Sequence, residues 1–253
     1  MGSRRYGSVS SMDAEQRKLV VRDIFSTFHR TYDIANRVLS LRRDLAWRRS
    51  ALRRMRFGPH GRFLDVATGT GDLAIMAARA FPDIRIDGID FAEPMLEIGR
   101  AKIARRGLGA RVVLARADAL DLPFPDACFD VSAIAFGMRN IPDMGRALSE
   151  MSRVTATGGL VMVLEMSAEL AFPFRAPYLF YLNEILPAMG RMVAGDAAAY
   201  VYLAESILRH PDPESFAGIM RAEGLDQVEF FRLTWGAAYL HIGRVRRGPE
   251  AKS

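Results

Sequence analysis

The run Asp65-Val66-Ala67-Thr68-Gly69-Thr70-Gly71-Asp72 is the part of this chain best suited to holding a ligand against main chain. Glycine at 69 and 71 permits backbone angles that other residues avoid, and lets a bound molecule approach the peptide groups closely. Gly69, Gly71 and Ala74 also satisfy the dinucleotide pattern G-x-G-x-x-A, which is a weak signal alone. About twenty residues further on stands Asp90, followed by Phe91; a carboxylate there can accept from both hydroxyls of a ribose. Glu93-Pro94 starts a helix just beyond, so Asp90 also reads as a helix cap. Asp118-Ala119 is placed to meet the amino group of an adenine.

These residues become a site only if the chain brings them to one edge. Short apolar runs at 63–66, 84–89, 112–115, 131–136 and 160–164 read as strands, and 72–80, 94–106 and 144–154 as intervening helices. Such alternation predicts a parallel sheet covered on both faces, and the unbroken apolar run Leu160-Val161-Met162-Val163-Leu164 suits a strand buried on both sides. A helix over 213–223 and strands at 227–234 and 237–245, close enough to pair as a hairpin, complete an α/β, doubly wound, mostly parallel seven-stranded sheet. Ligands of such sheets bind outside the carboxyl ends of the strands, where the residues above fall.

Residues 1–13 read as a disordered lead, and 14–253 as one domain. Within it, 14–56 form an N-terminal helical cap. The aromatic, proline-broken segment within 168–212 forms a helical insertion that covers the substrate, with an ordinary apolar helix pair or a homodimer face as alternatives.

Composition narrows the class. Half of the 253 residues are hydrophobic and a quarter charged, which is globular and excludes global disorder. The single cysteine, Cys128, allows no internal disulfide, reads as a small hydrophobe at the core edge, and leaves no cysteine zinc cluster; no metal is expected. No signal peptide or apolar span is evident, so the expected location is cytoplasmic, peripheral on the inner face of the membrane at most. The net charge of +6 gathers in Arg42, Arg43, Arg48, Arg49, Arg53, Arg54 and Arg56, interleaved with Leu41, Leu45, Trp47, Leu52 and Met55. That layout suits transient docking on an anionic membrane surface; the plainer alternative is a helix packed on the domain with a solvated basic face. No nucleic-acid motif accompanies the charge, and no nucleic-acid partner is expected.

Asp65 separates two adenosine-containing ligands. A pyrophosphate gains nothing from an extra carboxylate, whereas S-adenosylmethionine presents an ammonium and a sulfonium. The residues therefore favour the methyl donor over a nicotinamide dinucleotide, for which no hydride-transfer acid or base can be located.

The chain resembles the ubiquinone/menaquinone biosynthesis C-methyltransferases (the UbiE/MenG group), which have the Rossmann-like class I methyltransferase fold. The matching stretches are Phe25-Ser26 through Tyr32-Asp33-Ile34-Ala35-Asn36, the Leu64 to Asp72 loop, Leu122-Pro123-Phe124-Pro125, Phe136-Gly137-Met138-Arg139-Asn140, Leu164-Glu165-Met166-Ser167, and Tyr202-Leu203-Ala204-Glu205-Ser206-Ile207 with His210-Pro211. The resemblance implies a lipid quinol acceptor and donor contacts at Thr70, Asp90, Asp118 and Ala119, with Asp65, Ala67, Gly69, Gly71 and Phe91 around them. It also places Ala135 where a serine is common, and implicates Arg139 and Asn140 in catalysis, with Tyr32 and Asp33 orienting the acceptor. Asp44 stands where histidine is expected, Ala35 where methionine is, and Ala156-Thr157-Gly158-Gly159 where Lys-Pro-Gly-Gly is. These departures leave open another lipid or aromatic acceptor, or a membrane-associated protein that binds the donor without turnover. Arginine stays protonated, so Arg139 is expected to stabilise a phenolate and position a water, the alternative being an ion pair with a nearby carboxylate such as Asp143.

Overall fold

The computed structural model describes residues 43–58, 60–186, 188 and 198–246. The lead, Tyr32, Asp33 and most of the N-terminal cap lie outside the described residues, as does the middle of the 168–212 insertion.

The order of elements is α1 (Arg43–Leu52), β1 (Arg62–Val66), α2 (Asp72–Ala80), β2 (Arg85–Asp90), α3 (Glu93–Ala104), β3 (Val112–Arg116), β4 (Phe129–Ala135), a 3-10 turn (Met138–Asn140) and α4 (Met144–Val154). There follow β5 (Thr155–Met166), α5 (Arg175–Phe180) running into a π-helical turn (Tyr181–Ile185), α6 (Ala198–Arg209), α7 (Pro213–Ala222), β6 (Leu225–Leu233) and β7 (Ala238–Val245). One seven-stranded sheet has the order β3-β2-β1-β4-β5-β7-β6. β1 to β5 pair in parallel, while β7 runs antiparallel to both β5 and β6. The doubly wound, mostly parallel sheet read from the sequence is present.

The period-two geometry of a strand sends neighbouring side chains to opposite faces. Phe63, Val131, Ala133, Leu160, Met162 and Leu164 enter one core with Trp47, Leu73 and Ala77. Leu64, Val66, Ile134, Val161 and Val163 enter a second core with Leu148, Met151, Phe216 and Met220. Continuous apolar runs are thus what a sheet with helices on both faces demands. Cys128 packs against the second core, as its size and apolarity suggest.

β5 is longer than the apolar run 160–164, because pairing continues to Thr155 opposite Phe129 across a register shift. Gly158 takes φ 77° there, and a Cβ on Gly159 would sit 2.7 Å from the main-chain oxygens of Ala156 and Asp130. Between β3 and β4 the loop is clamped onto α4: Glu150 accepts from the Leu122 N–H, and Arg153 donates to the carbonyls of Leu122 and Phe124.

Register levels the strand ends. Val66 lies opposite Ile89 and Ile134, and Ile89 opposite Ala115. The turns after β1, β2, β3 and β4 therefore open side by side on one edge. The first of them passes through left-handed backbone at Ala67 (φ 50°), Gly69 (φ 57°) and Gly71 (φ 78°). It is held from below by Asp65, whose Oδ2 accepts from Thr68 Oγ1 (2.6 Å) and from the Ala74 N–H (3.1 Å).

Burial pushes the Asp65 carboxyl up to about 7 against the hydrogen bond from Thr68 and the charge of Arg48. The native state then holds a proton that the unfolded chain releases near pH 4, so this group's contribution falls as pH rises towards 7 and is flat above it. Asp65→Asn is expected to flatten the stability-against-pH curve in that window, read from denaturant midpoints at constant salt; an unchanged slope contradicts the assignment. Gly159→Ala is expected to lose roughly 1–3 kcal/mol by overpacking against main chain, seen as a lower midpoint with an unchanged denaturant slope.

Candidate active site

A cleft of about 1120 Å³, counting its solvent-facing mouth, runs along the carboxyl ends of β3, β2, β1 and β4. Its lining includes Ala67, Gly69 and Thr70 from the first turn, Asp90 and Phe91 from the second, Asp118 and Ala119 from the third, and Ala135 and Asn140 from the fourth. Ile89, Met95, Leu120, Phe136, Ile141 and Pro142 supply apolar surface. Sequence-predicted residues from four separate turns are thus brought together. Asp65 and Gly71 do not line the cleft: the first braces the turn from within the core, and the second caps α2.

Asp90 works on main chain as well as facing the cleft. Its Oδ2 accepts from the Gly69 N–H (2.8 Å) and its Oδ1 from the Ala92 N–H (2.9 Å). Burial pushes its carboxyl above the usual range, opposed by those hydrogen bonds. A carboxylate oxygen carries more lone-pair sites than one hydrogen bond uses, so each can still accept from a ligand hydroxyl. Asp90 is not the helix cap that the sequence also allowed: α3 starts from Ala92 without a side-chain cap, and Asp90 takes the Ala92 N–H instead, which leaves the ribose-acceptor reading.

Asp118 Oδ1 accepts from the Leu120 N–H (3.0 Å), which curls the third turn and keeps the carboxylate at the cleft. Thr70, beside Gly69, accepts from Lys102 Nζ (2.6 Å), which also pairs with Asp72 (3.0 Å). The backbone of Phe136 is left-handed at φ 62°, and a Cβ on Gly137 would lie 2.8 Å from the Ala67 side chain. That close approach seats the turn after β4 against the turn after β1. Left-handed non-glycine residues cost about 1–3 kcal/mol each and persist where the surroundings over-determine them, often at functional sites.

Arg139 follows the ion-pair alternative, with a different carboxylate as partner. It does not line the cleft; its guanidinium is buried and ion-paired with Glu165, and also donates to the Phe136 carbonyl (2.8 Å) and to Ser206 Oγ (3.3 Å). Asp143 is not its partner, because that side chain caps α4 by accepting from the Arg146 N–H (2.9 Å). Asn140 does face the cleft, and its Oδ1 accepts from Tyr202 on α6 (3.1 Å). Tyr202 and Glu165 belong to the blocks that carried the resemblance, but their proximity to residues 139 and 140 arises only in the fold.

Asp44 and Arg48 also line the cleft and were not predicted there. Their i,i+4 spacing was a usable signal, masked by the surrounding run of arginines. α1 packs Trp47 and Leu52 into the core, joined by Met55 just past its end, and Trp47 Nε1 donates to Thr234 (2.8 Å). Trp47, Leu52 and Met55, three of the apolar residues expected to form a membrane-facing stripe, therefore face the domain, while Arg43, Arg49, Arg53 and Arg56 are exposed. No helix among the described residues is long and apolar enough to cross a membrane, and no His/Cys/Asp/Glu group among them is arranged for a metal.

The donor set suits an adenosine-containing cation: apolar walls, aspartates at the ends of β2 and β3, and a glycine turn open to close approach. Comparison with known proteins agrees. The ubiE/COQ5 methyltransferase family model matches residues 11–245. A demethylmenaquinone methyltransferase of Thermus thermophilus is 44% identical over 220 residues, covering 87% of this chain and 99% of that one. A ubiquinone/menaquinone biosynthesis C-methyltransferase of Bordetella parapertussis is 42% identical over 247 residues, covering 97% and 94%. Among solved structures, a SAM-dependent methyltransferase from Thermotoga maritima superposes with a TM-score of 0.63 at 20% identity, covering 88% of this chain and 99% of that one, which speaks to the fold. The chain belongs to the ubiE/COQ5 methyltransferase family and is an S-adenosylmethionine-dependent methyltransferase.

Proposed function

We propose that this enzyme methylates a ring carbon of a polyprenyl hydroquinone, a demethylmenaquinol or the ubiquinone-pathway benzoquinol. The observation that carries the reading is the shared edge: Asp90, Asp118 and the glycine turn at one end of a single cleft, and Asn140 at the other. The names of the relatives point to the same acceptors.

The donor supplies an electrophilic methyl on sulfur, which the ring carbon takes as the thioether departs; a proton then leaves that carbon. In this reading Asp90 accepts from the ribose hydroxyls, Asp118 accepts from the adenine amino group, and Thr70 and the Gly69 main chain border the methionine portion. Ala67, Phe91, Ala119 and Ala135 pack against the donor. Asp65 and Gly71 act through the shape of the turn. The Asn140 amide, oriented by Tyr202, holds a ring hydroxyl so that the carbon beside it faces the methyl. Arg139 acts through its neighbours: clamped by Glu165 and Ser206, it fixes the 3-10 turn that presents Asn140. Holding two reactants in line supplies several kcal/mol of the barrier reduction.

Residues 14–253 are read as one domain. The segment that includes α5 and α6 covers the acceptor, and its own small core of Leu182, Leu186, Tyr200, Ala204 and Ile207 gives it the stiffness to do so. Exposed Arg43, Arg49, Arg53 and Arg56 suit transient contact with anionic headgroups, at about 1 kcal/mol each near such a surface. A homodimer and a cytoplasmic location remain part of this proposal.

Expression in a bacterium deficient in quinone methylation tests the acceptor. Mass spectrometry of its lipid extract is expected to show the methylated quinone restored, and an unchanged pool of demethylated quinone despite folded protein would count against the assignment. Asn140→Ala is expected to lower kcat roughly 100-fold, the scale of a mispositioned reactant, while calorimetry shows unchanged affinity for S-adenosylhomocysteine. A loss of affinity with kcat intact would instead make Asn140 a donor contact.

A further inference from the structure

The charged lining of the cleft is lopsided. Among the described residues, Asp44, Asp72, Asp90 and Asp118 border it, and Arg48 is the one cation. S-adenosylmethionine carries two cationic centres, which four carboxylates suit. It also carries an α-carboxylate, which the same four repel. An anionic group brought into this cleft needs a positive partner, and the lining offers it at one place.

That place is at the correct end. Asp90 and Asp118 stand at the ends of β2 and β3, so an adenosine lying on them projects its sulfur and amino-acid portion towards β1 and β4. Arg48 is at that side: its guanidinium carbon lies 4.9 Å from the centre of the Phe136 ring, just beyond β4, and its charge is felt at Asp65 on β1.

The side chain is also built in rather than draped over the surface. Arg48 is 8% exposed, Asp44 accepts from its Nη1 (2.6 Å), and its Nε is buried without a hydrogen-bond partner. A buried ion pair is poor value as a stabiliser, since apolar residues of similar volume often serve as well or better. Its placement is explained if the guanidinium has a second anion to receive, for which its planar fork of donors is suited.

We propose that Arg48 receives the α-carboxylate of the methyl donor, and that Asp44 is the positioning residue that holds the guanidinium at the cleft. This rests on the donor reading of the cleft and adds the residue that recognises the amino-acid end. It also gives the basic stretch of α1 a second use besides its exposed arginines.

The test compares S-adenosylhomocysteine with its decarboxylated analogue, S-adenosyl-3-thiopropylamine, by calorimetry. The intact enzyme is expected to prefer the carboxylate-bearing ligand roughly 10- to 100-fold, the scale of a hydrogen bond to a charged group. In Arg48→Met that preference collapses: affinity for adenosylhomocysteine drops by the same factor, while the analogue stays within about two-fold. Arg48→Lys retains part of the preference. The double variant Asp44→Asn/Arg48→Met avoids an orphaned buried carboxylate, and is expected to behave as Arg48→Met does. Equal loss of both ligands overturns the proposal in favour of a structural role. Unchanged adenosylhomocysteine affinity with a raised KM for the quinol overturns it in favour of an acceptor contact. Should the variants fail to fold, absence of preference in the intact enzyme is enough to overturn it. An intact enzyme that binds neither nucleoside instead defeats the donor reading itself.

Discussion

Two buried aspartates brace the turn after β1 from either side, and the site is organised around that grip. Asp65 accepts from Thr68 Oγ1 and the Ala74 N–H on the inner side, and Asp90 accepts from the Gly69 and Ala92 N–H groups on the outer side. Unpaired main-chain N–H groups in such a place would be costly, and carboxylates supply strong acceptors for them. The turn consequently holds left-handed backbone at Ala67, Gly69 and Gly71 without a regular ladder to support it. Because Asp90 belongs to β2, the same hydrogen bonds tie the first turn to the second.

The far end of the cleft rests on a different buried charge. Arg139 and Glu165 are both almost fully enclosed, and a pair in that position is costly to break from one side. Glu165 also accepts from the main-chain N–H of Arg139 (3.2 Å) and of Met166 (2.8 Å), so the pair fastens the turn after β4 to the end of β5. Ser206 and Tyr202 extend the fastening to α6. The orientation of Asn140 therefore depends on how α6 packs. The turn after β1 is braced within the parallel sheet, and the turn after β4, seated against it at Ala67, is braced in addition through the elements that follow.

The basic segment shows how packing redistributes a sequence signal. Seven arginines between 42 and 56 look like one electrostatic feature, yet those that are described have separate fates. Arg48 is buried against Asp44 and over the Phe136 ring, Arg54 stacks on Phe231 at 4.1 Å, and Arg53 and Arg56 face solvent. Trp47, Leu52 and Met55 fill the core beneath them. Helical spacing alone could not tell a stripe that meets a bilayer from one that meets a sheet, because both present the same apolar face to a nonpolar neighbour.

Local information was sufficient for the strands, the helices and the turn chemistry. Continuous apolar runs, the glycines at 69 and 71, and aspartates at the ends of predicted strands already implied a doubly wound sheet with a ligand edge. They did so because strand period, backbone freedom and carboxylate chemistry belong to short stretches of chain. The length of β5 beyond its apolar run, the Glu165 partner of Arg139, the Tyr202 partner of Asn140 and the place of Arg48 in the cleft were decided by tertiary structure alone. Each depends on which side chain from a distant element comes within hydrogen-bond reach, and sequence separation carries no such distance. Asp65 marks the boundary between the two kinds of knowledge: its charge was legible beside the glycines, but its work as a brace within the core became visible only once β1 was buried.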